Sequence, residues 1–171
     1  MILALDTYYF GDQANTAYVL FSDWASDTAV ESGSFLMSGI ADYESGQFFK
    51  RELPCILDAL SRLNRPDISC VLIDGYVTLD SAGRAGLGGY LFEALNGRTP
   101  VVGVAKNAFK AERPNVKAVK RGTSQKPLFV TSQGVALETA AAGISSMHGP
   151  YRMPDLLRQV DRLSRDIYRK G

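Results

Sequence analysis

The chain has 171 residues, of which 46% are hydrophobic and 22% charged, with a formal net charge of +1. That length supports a single domain, residues 1–171, with a substantial core, and argues against two. No apolar stretch approaches the ~20 residues that cross a bilayer, and the N-terminus lacks the basic lead and apolar core of a secretory signal; a cytoplasmic protein without membrane contact is expected, with a monomer as the default state.

Met1 to Leu5, Ala17 to Phe21 and Ala29 to Met37 read as three successive strands separated by Gly11-Asp12-Gln13 and Asp23 to Asp27, the pattern of an antiparallel meander. Phe49, Leu53, Ile56, Leu57, Leu60 and Leu63 then recur at helical spacing, with Pro54 either starting or kinking the helix. From there the pattern alternates: strand Cys70 to Ile73, helix around Ala85 to Leu95, strand Val101 to Val104, a basic loop, strand Leu128 to Val130, helix Leu137 to Ile144. Such alternation predicts parallel strands joined by helices. A last amphipathic helix, Pro154 to Tyr168, carries Leu156, Leu157, Val160, Leu163 and Ile167 on one face and Arg158, Arg162, Arg165 and Arg169 on the other, which is read as a solvated face. Together these elements predict an α/β fold of the ribonuclease H-like type, a three-strand antiparallel meander followed by parallel strands, flanked by helices. In that architecture the first strand lies beside a following parallel strand at the centre of the sheet.

Three acids stand where a polar residue needs a reason. Asp6 ends the first apolar run, Asp74 ends the run from Cys70, and Glu52 sits at a helix start after Gly46. The alternative for Asp74 is punctuation, since Asp74-Gly75 is itself a turn dipeptide. Three acids from three elements that share a site supply the hard oxygen ligands that suit Mg²⁺, or Mn²⁺. The two cysteines, Cys55 and Cys70, fall in apolar stretches without paired ligand spacing and are read as reduced core residues, which sets a zinc site aside.

Charge is distributed unevenly. Met1 to Lys50 holds seven acids against one base, whereas Lys106 to Lys126 holds seven bases (Lys106, Lys110, Arg113, Lys117, Lys120, Arg121 and Lys126) against one acid, Glu112. A loop of that kind fits a phosphate-bearing partner such as nucleic acid, with a solvated loop as the alternative.

Several short segments in one order resemble the endonuclease V family, nucleases that act near deaminated purines such as inosine. Asp42 to Pro54 is similar to its Pro-Tyr-x-Pro-Gly-x-Leu-x-x-Arg-Glu segment, Ile73-Asp74-Gly75 to its Val-Asp-Gly, and Pro100 to Lys106 to its Pro-Thr-x-Gly-Val-Ala-Lys. Pro127 to Val130, Leu137 to Ala140 and Tyr151 to Pro154 follow in the family's order, so the resemblance runs over nearly the whole chain. It implies a magnesium-dependent phosphodiester hydrolase that cuts DNA or RNA on the 3′ side of the deaminated base, one nucleotide beyond it. By matched position it implies Asp6, Glu52 and Asp74 as metal-binding carboxylates and Lys106 as an active-site lysine able to contact phosphate. Tyr43 matches a wedge tyrosine that fills the gap left by an extruded base, and Gly46, Gly75 and Gly103 match backbone lining the base pocket.

The chain departs from the family pattern in places. Asp42 and Ser45 replace the two prolines of the wedge. The family's His-Pro-Arg-Arg run becomes Leu79 to Arg84, in which Arg84 is the candidate to take one arginine's role. A family histidine after the strand at Leu128 has no counterpart in Thr131-Ser132-Gln133-Gly134-Val135, and His148 is read as a surface or capping residue. These departures define a second reading, a homologue that binds nucleic acid without useful turnover. A third, an ATP-binding module, lacks support because Asp6 to Gly11 has no glycine-rich phosphate turn.

Overall fold

The computed structural model describes residues 1–40, 42, 44–45, 47–109 and 114–169, the side chains of 48, 168 and 169 excepted. Strands β1 (Ile2–Phe10) and β2 (Gln13–Phe21) form a hairpin that β3 (Glu31–Ser38) extends, all antiparallel. Gly11, at φ +58, closes the first turn in a conformation that a two-residue hairpin loop of matching twist requires. Helix α1 (Phe48–Leu63) leads to β4 (Cys70–Asp74), and α2 (Leu87–Ala94) leads to β5 (Val101–Ala105). Strands β6 (Lys117–Val119) and β7 (Leu128–Gln133) precede α3 (Leu137–Ser146) and α4 (Asp155–Arg169).

The seven strands form one sheet in the order β3-β2-β1-β4-β5-β7-β6. The expected meander is present, and β1 pairs in parallel with β4, with Leu5 opposite Ile73. Alternation along each strand feeds two cores, as side chains of period two must. Ile2, Ala4, Cys70, Leu72, Val102 and Val104 pack with Ile144, Leu156 and Val160 of α3 and α4, while Leu3, Leu5, Val71, Ile73 and Val101 pack with Ile56, Ala59 and Leu91 of α1 and α2.

Four expectations need correction. Strand β7 runs antiparallel to β5, not parallel, because the connection between them contains no described helix and turns back on itself instead of crossing over. The basic stretch contains a strand, β6, paired with β7. Strand β1 does not stop at Asp6: pairing with β2 carries it on to Phe10, and the strand that stops is its neighbour β4. Pro54 does not start α1; it lies within the helix, on its exposed side.

Candidate active site

Asp6 and Asp74 each continue the parallel register one residue past the Leu5–Ile73 pair, so they emerge side by side where β4 ends. Both follow the alternation that faces α4. The fully buried Ser164 donates its hydroxyl to Asp6 Oδ2 at 2.6 Å; the Asp161 carbonyl oxygen, 2.8 Å away, is the alternative acceptor for that same proton. Buried Asn15 on β2 donates to the carbonyls of Leu163 and Ser164, which fixes α4 against the sheet at the height of Asp6. Glu52 arrives from the other side. It is one turn inside α1, and the spacing Glu52, Cys55, Ile56, Ala59 puts it on the buried stripe of that helix.

The electrostatics show that these acids feel one another. Burial, opposed by the Ser164 hydrogen bond and reinforced by the charges of Asp74 and Asp161, raises Asp6 from its ordinary 3.8 to about 6. Burial and the charges of Asp6 and Asp74 raise Glu52 well above the usual carboxylate range. Asp74 is also raised, chiefly by surrounding protein, although it is the solvent-facing member of the set; Lys106 acts against the rise, as it does for Asp6. Among the described residues, no three acidic, histidine or cysteine side chains close into a shell around one ion.

Asp161 is the residue that sequence reasoning missed. With Asp6, Asp74 and Lys106 it lines a small cavity of about 30 Å³, room for one or two waters or a small cation. A signal was present: Asp161 and Ser164 occupy the helical positions that follow Leu157 and Val160 on the apolar stripe of α4, where polar side chains need a partner.

A second cavity, of about 390 Å³, opens directly beside Asp74. Gly75, at φ +126, and Tyr76 form one wall; Phe49 and Tyr90, stacked with ring centroids 3.9 Å apart, form another, and exposed Arg84 stands at the rim, paired with Asp80. Gly103 stands behind this pocket instead of lining it. A Cβ there would lie 2.5 Å from the Gly75 carbonyl oxygen and 2.8 Å from Thr131 Oγ1, so the bare position lets the turn after β4 seat on β5. Thr131 Oγ1 accepts the Val77 N–H at 2.8 Å from the same place. Tyr43 and Gly46 lie outside the described residues.

Other candidates are placed elsewhere. Arg121 of the basic stretch is buried, donating to the carbonyls of Met147, Gly149, Tyr151 and Arg152; it holds the approach to α4 and offers nothing to phosphate. Lys117 is paired with Glu138. His148 is exposed and lies 3.0 Å from Asp155. Gln133, in the segment lacking the family histidine, pairs with Val101, at the opposite end of β5 from Ala105 and Lys106.

The endonuclease V family model matches residues 1–125, a span that holds Asp6, Glu52, Asp74 and Lys106. This chain belongs to the endonuclease V family. Among solved structures it is similar to human ENDOV, at 22% identity and a TM-score of 0.80 over 99% of this chain and 84% of that one. It is also similar to Ciona intestinalis endonuclease V in complex with a 24mer DNA containing an inosine followed by a ribo-adenosine, at 21% identity and a TM-score of 0.82 over 99% and 86%. Bacillus subtilis endonuclease V matches at 18% identity and a TM-score of 0.74 over 99% and 81%. The fold is thus ribonuclease H-like, and the structural likeness takes in β7, α3 and α4, which the family model does not reach. No curated protein matches the chain.

Proposed function

We propose that this endonuclease V-family chain is a divalent-cation-dependent endonuclease that hydrolyses a phosphodiester bond 3′ to a deaminated base, inosine, in DNA or RNA. The observation that carries the reading is the set of mutually repelling acids, Asp6, Glu52 and Asp74, beside Lys106 and a base-sized pocket. The Ciona relative, crystallised with inosine-containing DNA, supports the choice of substrate.

The donor set fits Mg²⁺ or Mn²⁺ by chemistry: hard carboxylate oxygens that burial, and secondarily the charge of neighbouring carboxylates, push toward protonation, so that a cation among them would relieve both. Asp6, Glu52 and Asp74 would hold the ion, with Asp161 adjoining them. When bound, it supplies charge stabilisation and a nucleophilic hydroxide near neutral pH. Ser164 keeps Asp6 ionised and oriented by hydrogen-bonding its carboxylate. Lys106 brings a positive charge to the cavity, where a scissile phosphate would otherwise meet only acids. The pocket formed by Gly75, Tyr76, Phe49 and Tyr90 is the place for an extruded base, with bare backbone on one side and stacked rings on another. Arg84 at its rim is positioned to contact the strand.

The deciding experiment is cleavage of end-labelled single-stranded DNA, duplex DNA and RNA, each with one inosine, in Mg²⁺ and Mn²⁺, with Asp74→Asn as control. A metal-dependent product one nucleotide 3′ of the inosine, lost in the variant, is expected; equal cleavage by the variant would refute the assignment. The second reading, a homologue that binds nucleic acid without useful turnover, rests on the absent histidine and the altered wedge; no product on any substrate from the folded chain would favour it.

A further inference from the structure

The outer face of α4 carries Arg158, Arg162 and Arg165 at spacings of four and three residues, so the three guanidiniums form one stripe. They line an open groove of about 530 Å³ together with Asp155, Gln159 and Asp161. Asp161 lines both the groove and the small cavity of Asp6 and Asp74, so the groove borders the acid cluster at that residue.

Two of the arginines are held in place by tyrosines: Arg158 lies over the ring of Tyr151 at 4.7 Å, and Arg165 over that of Tyr8 at 5.3 Å. Arg165 also holds Asp161 at 3.1 Å, while Arg158 stands at 3.8 Å from Asp155, a carboxylate shared with His148. Arg162 is exposed and has no partner among the described residues. A helix rise of about 1.5 Å per residue spreads Arg158 to Arg165 over about 10 Å, the axial length of roughly three nucleotides of one strand.

Charge complementarity chooses the occupant. A strand whose scissile phosphate sits at the acids must leave past a surface that does not repel it, and Asp155 and Asp161 are outnumbered there by planar, fork-shaped phosphate donors. We propose that the arginine stripe of α4 is the track for the backbone phosphates of the nucleic-acid strand adjoining the carboxylate site. This rests on the nuclease reading for the position of the scissile bond, and it reverses the expectation that these arginines are only solvated.

The test is fluorescence anisotropy of the full chain with labelled, inosine-containing single-stranded DNA and RNA, in Ca²⁺, across a potassium chloride series. Variants are Arg162→Gln and the double Arg158→Gln/Arg162→Gln, both on exposed side chains, with Lys120→Gln/Lys126→Gln as a comparison; Arg165 is left intact because it holds Asp161. The double variant is expected to bind roughly tenfold more weakly, with a log–log salt slope about 1.4 shallower, and the single variant about 0.7 shallower. Affinity and slope unchanged in both variants would overturn the proposal. Wild-type cleavage combined with unchanged variant binding would remove the track and keep the nuclease. Arginine-dependent binding without cleavage would keep the track and remove the nuclease, and no wild-type binding at all would overturn both.

Discussion

Asp161 illustrates how a single residue changes character once its neighbours are known. On the helix alone it is the partner of Arg165 four residues on; in the folded chain its charge raises both Asp6 and Asp74. Replacing it with asparagine keeps the size and removes that charge. In Asp161→Asn the Asp6 carboxyl is therefore expected to titrate below its present value of about 6, read by carboxyl-carbon NMR of the metal-free chain. An unmoved Asp6 titration would place Asp161 outside the cluster. Ser164 acts in the other sense, since its 2.6 Å hydrogen bond favours the ionised form of Asp6. The roles of Asp6 and Asp74 as neighbours were legible from two apolar runs that each ended in an acid. The contribution of Asp161 was not read, because an Asp among arginines at helical spacing looks like an ordinary surface ion pair.

At the scale of elements, the pocket beside Asp74 depends on how closely the turn after β4 approaches β5. Gly103 makes that approach possible, and the atoms a new Cβ would meet are the Gly75 carbonyl, the Val77 nitrogen and the fully buried Thr131 hydroxyl, none of which is the free end of a flexible side chain. Gly103→Ala is expected to cost about 2–4 kcal/mol, measured by urea denaturation. A loss below about 1 kcal/mol would mean the turn has slack. The helices were legible because their apolar residues recur at helical spacing: α1, α3 and α4 fall close to the predicted spans. The direction of β7 was not, since a short apolar run of three residues reads the same in either sense. Strand β6 was hidden for a related reason, its Lys-Ala-Val offering one buried residue and no alternation to detect.

For the whole molecule, the buried acids tie stability to pH and to cations. The folded Asp6 titrates near 6 against an ordinary 3.8, so folding favours its protonated form. The stability it contributes is fully present below pH 3.8 and is lost as pH rises through about 6. Glu52 and Asp74 shift in the same direction and add to the effect with the same sign. In EDTA the chain is expected to melt at a higher temperature at pH 5 than at pH 8, with Asp6 alone accounting for on the order of 1–3 kcal/mol. Saturating Mg²⁺ is expected to raise the melting temperature at pH 8 and shrink the difference, since ligand at about 100 times its Kd adds about 2.7 kcal/mol. Thermal melts over that pH range, with and without the ion, check both parts. A metal-free chain that is more stable at pH 8 would contradict the burial of these acids. The basic stretch shows the same dependence on the whole: Arg121 looked like one more phosphate ligand in the sequence, yet folding turns it inward to satisfy four carbonyl groups.

By itself the sequence determined the meander, the parallel β1–β4 pair and the helices, and marked Asp6, Glu52 and Asp74 as candidates, because apolar periodicity and a polar residue at the end of an apolar run are local signals. Tertiary structure alone decided that Asp161 and Ser164 meet Asp6, that Gly103 backs the pocket instead of lining it, that the segment at Gln133 lies away from the acids, and that the arginines of α4 border the site. Each of those facts joins residues far apart in the chain, and such distances are set only when α4 packs on β1 and β2 and β5 seats beside the turn after β4.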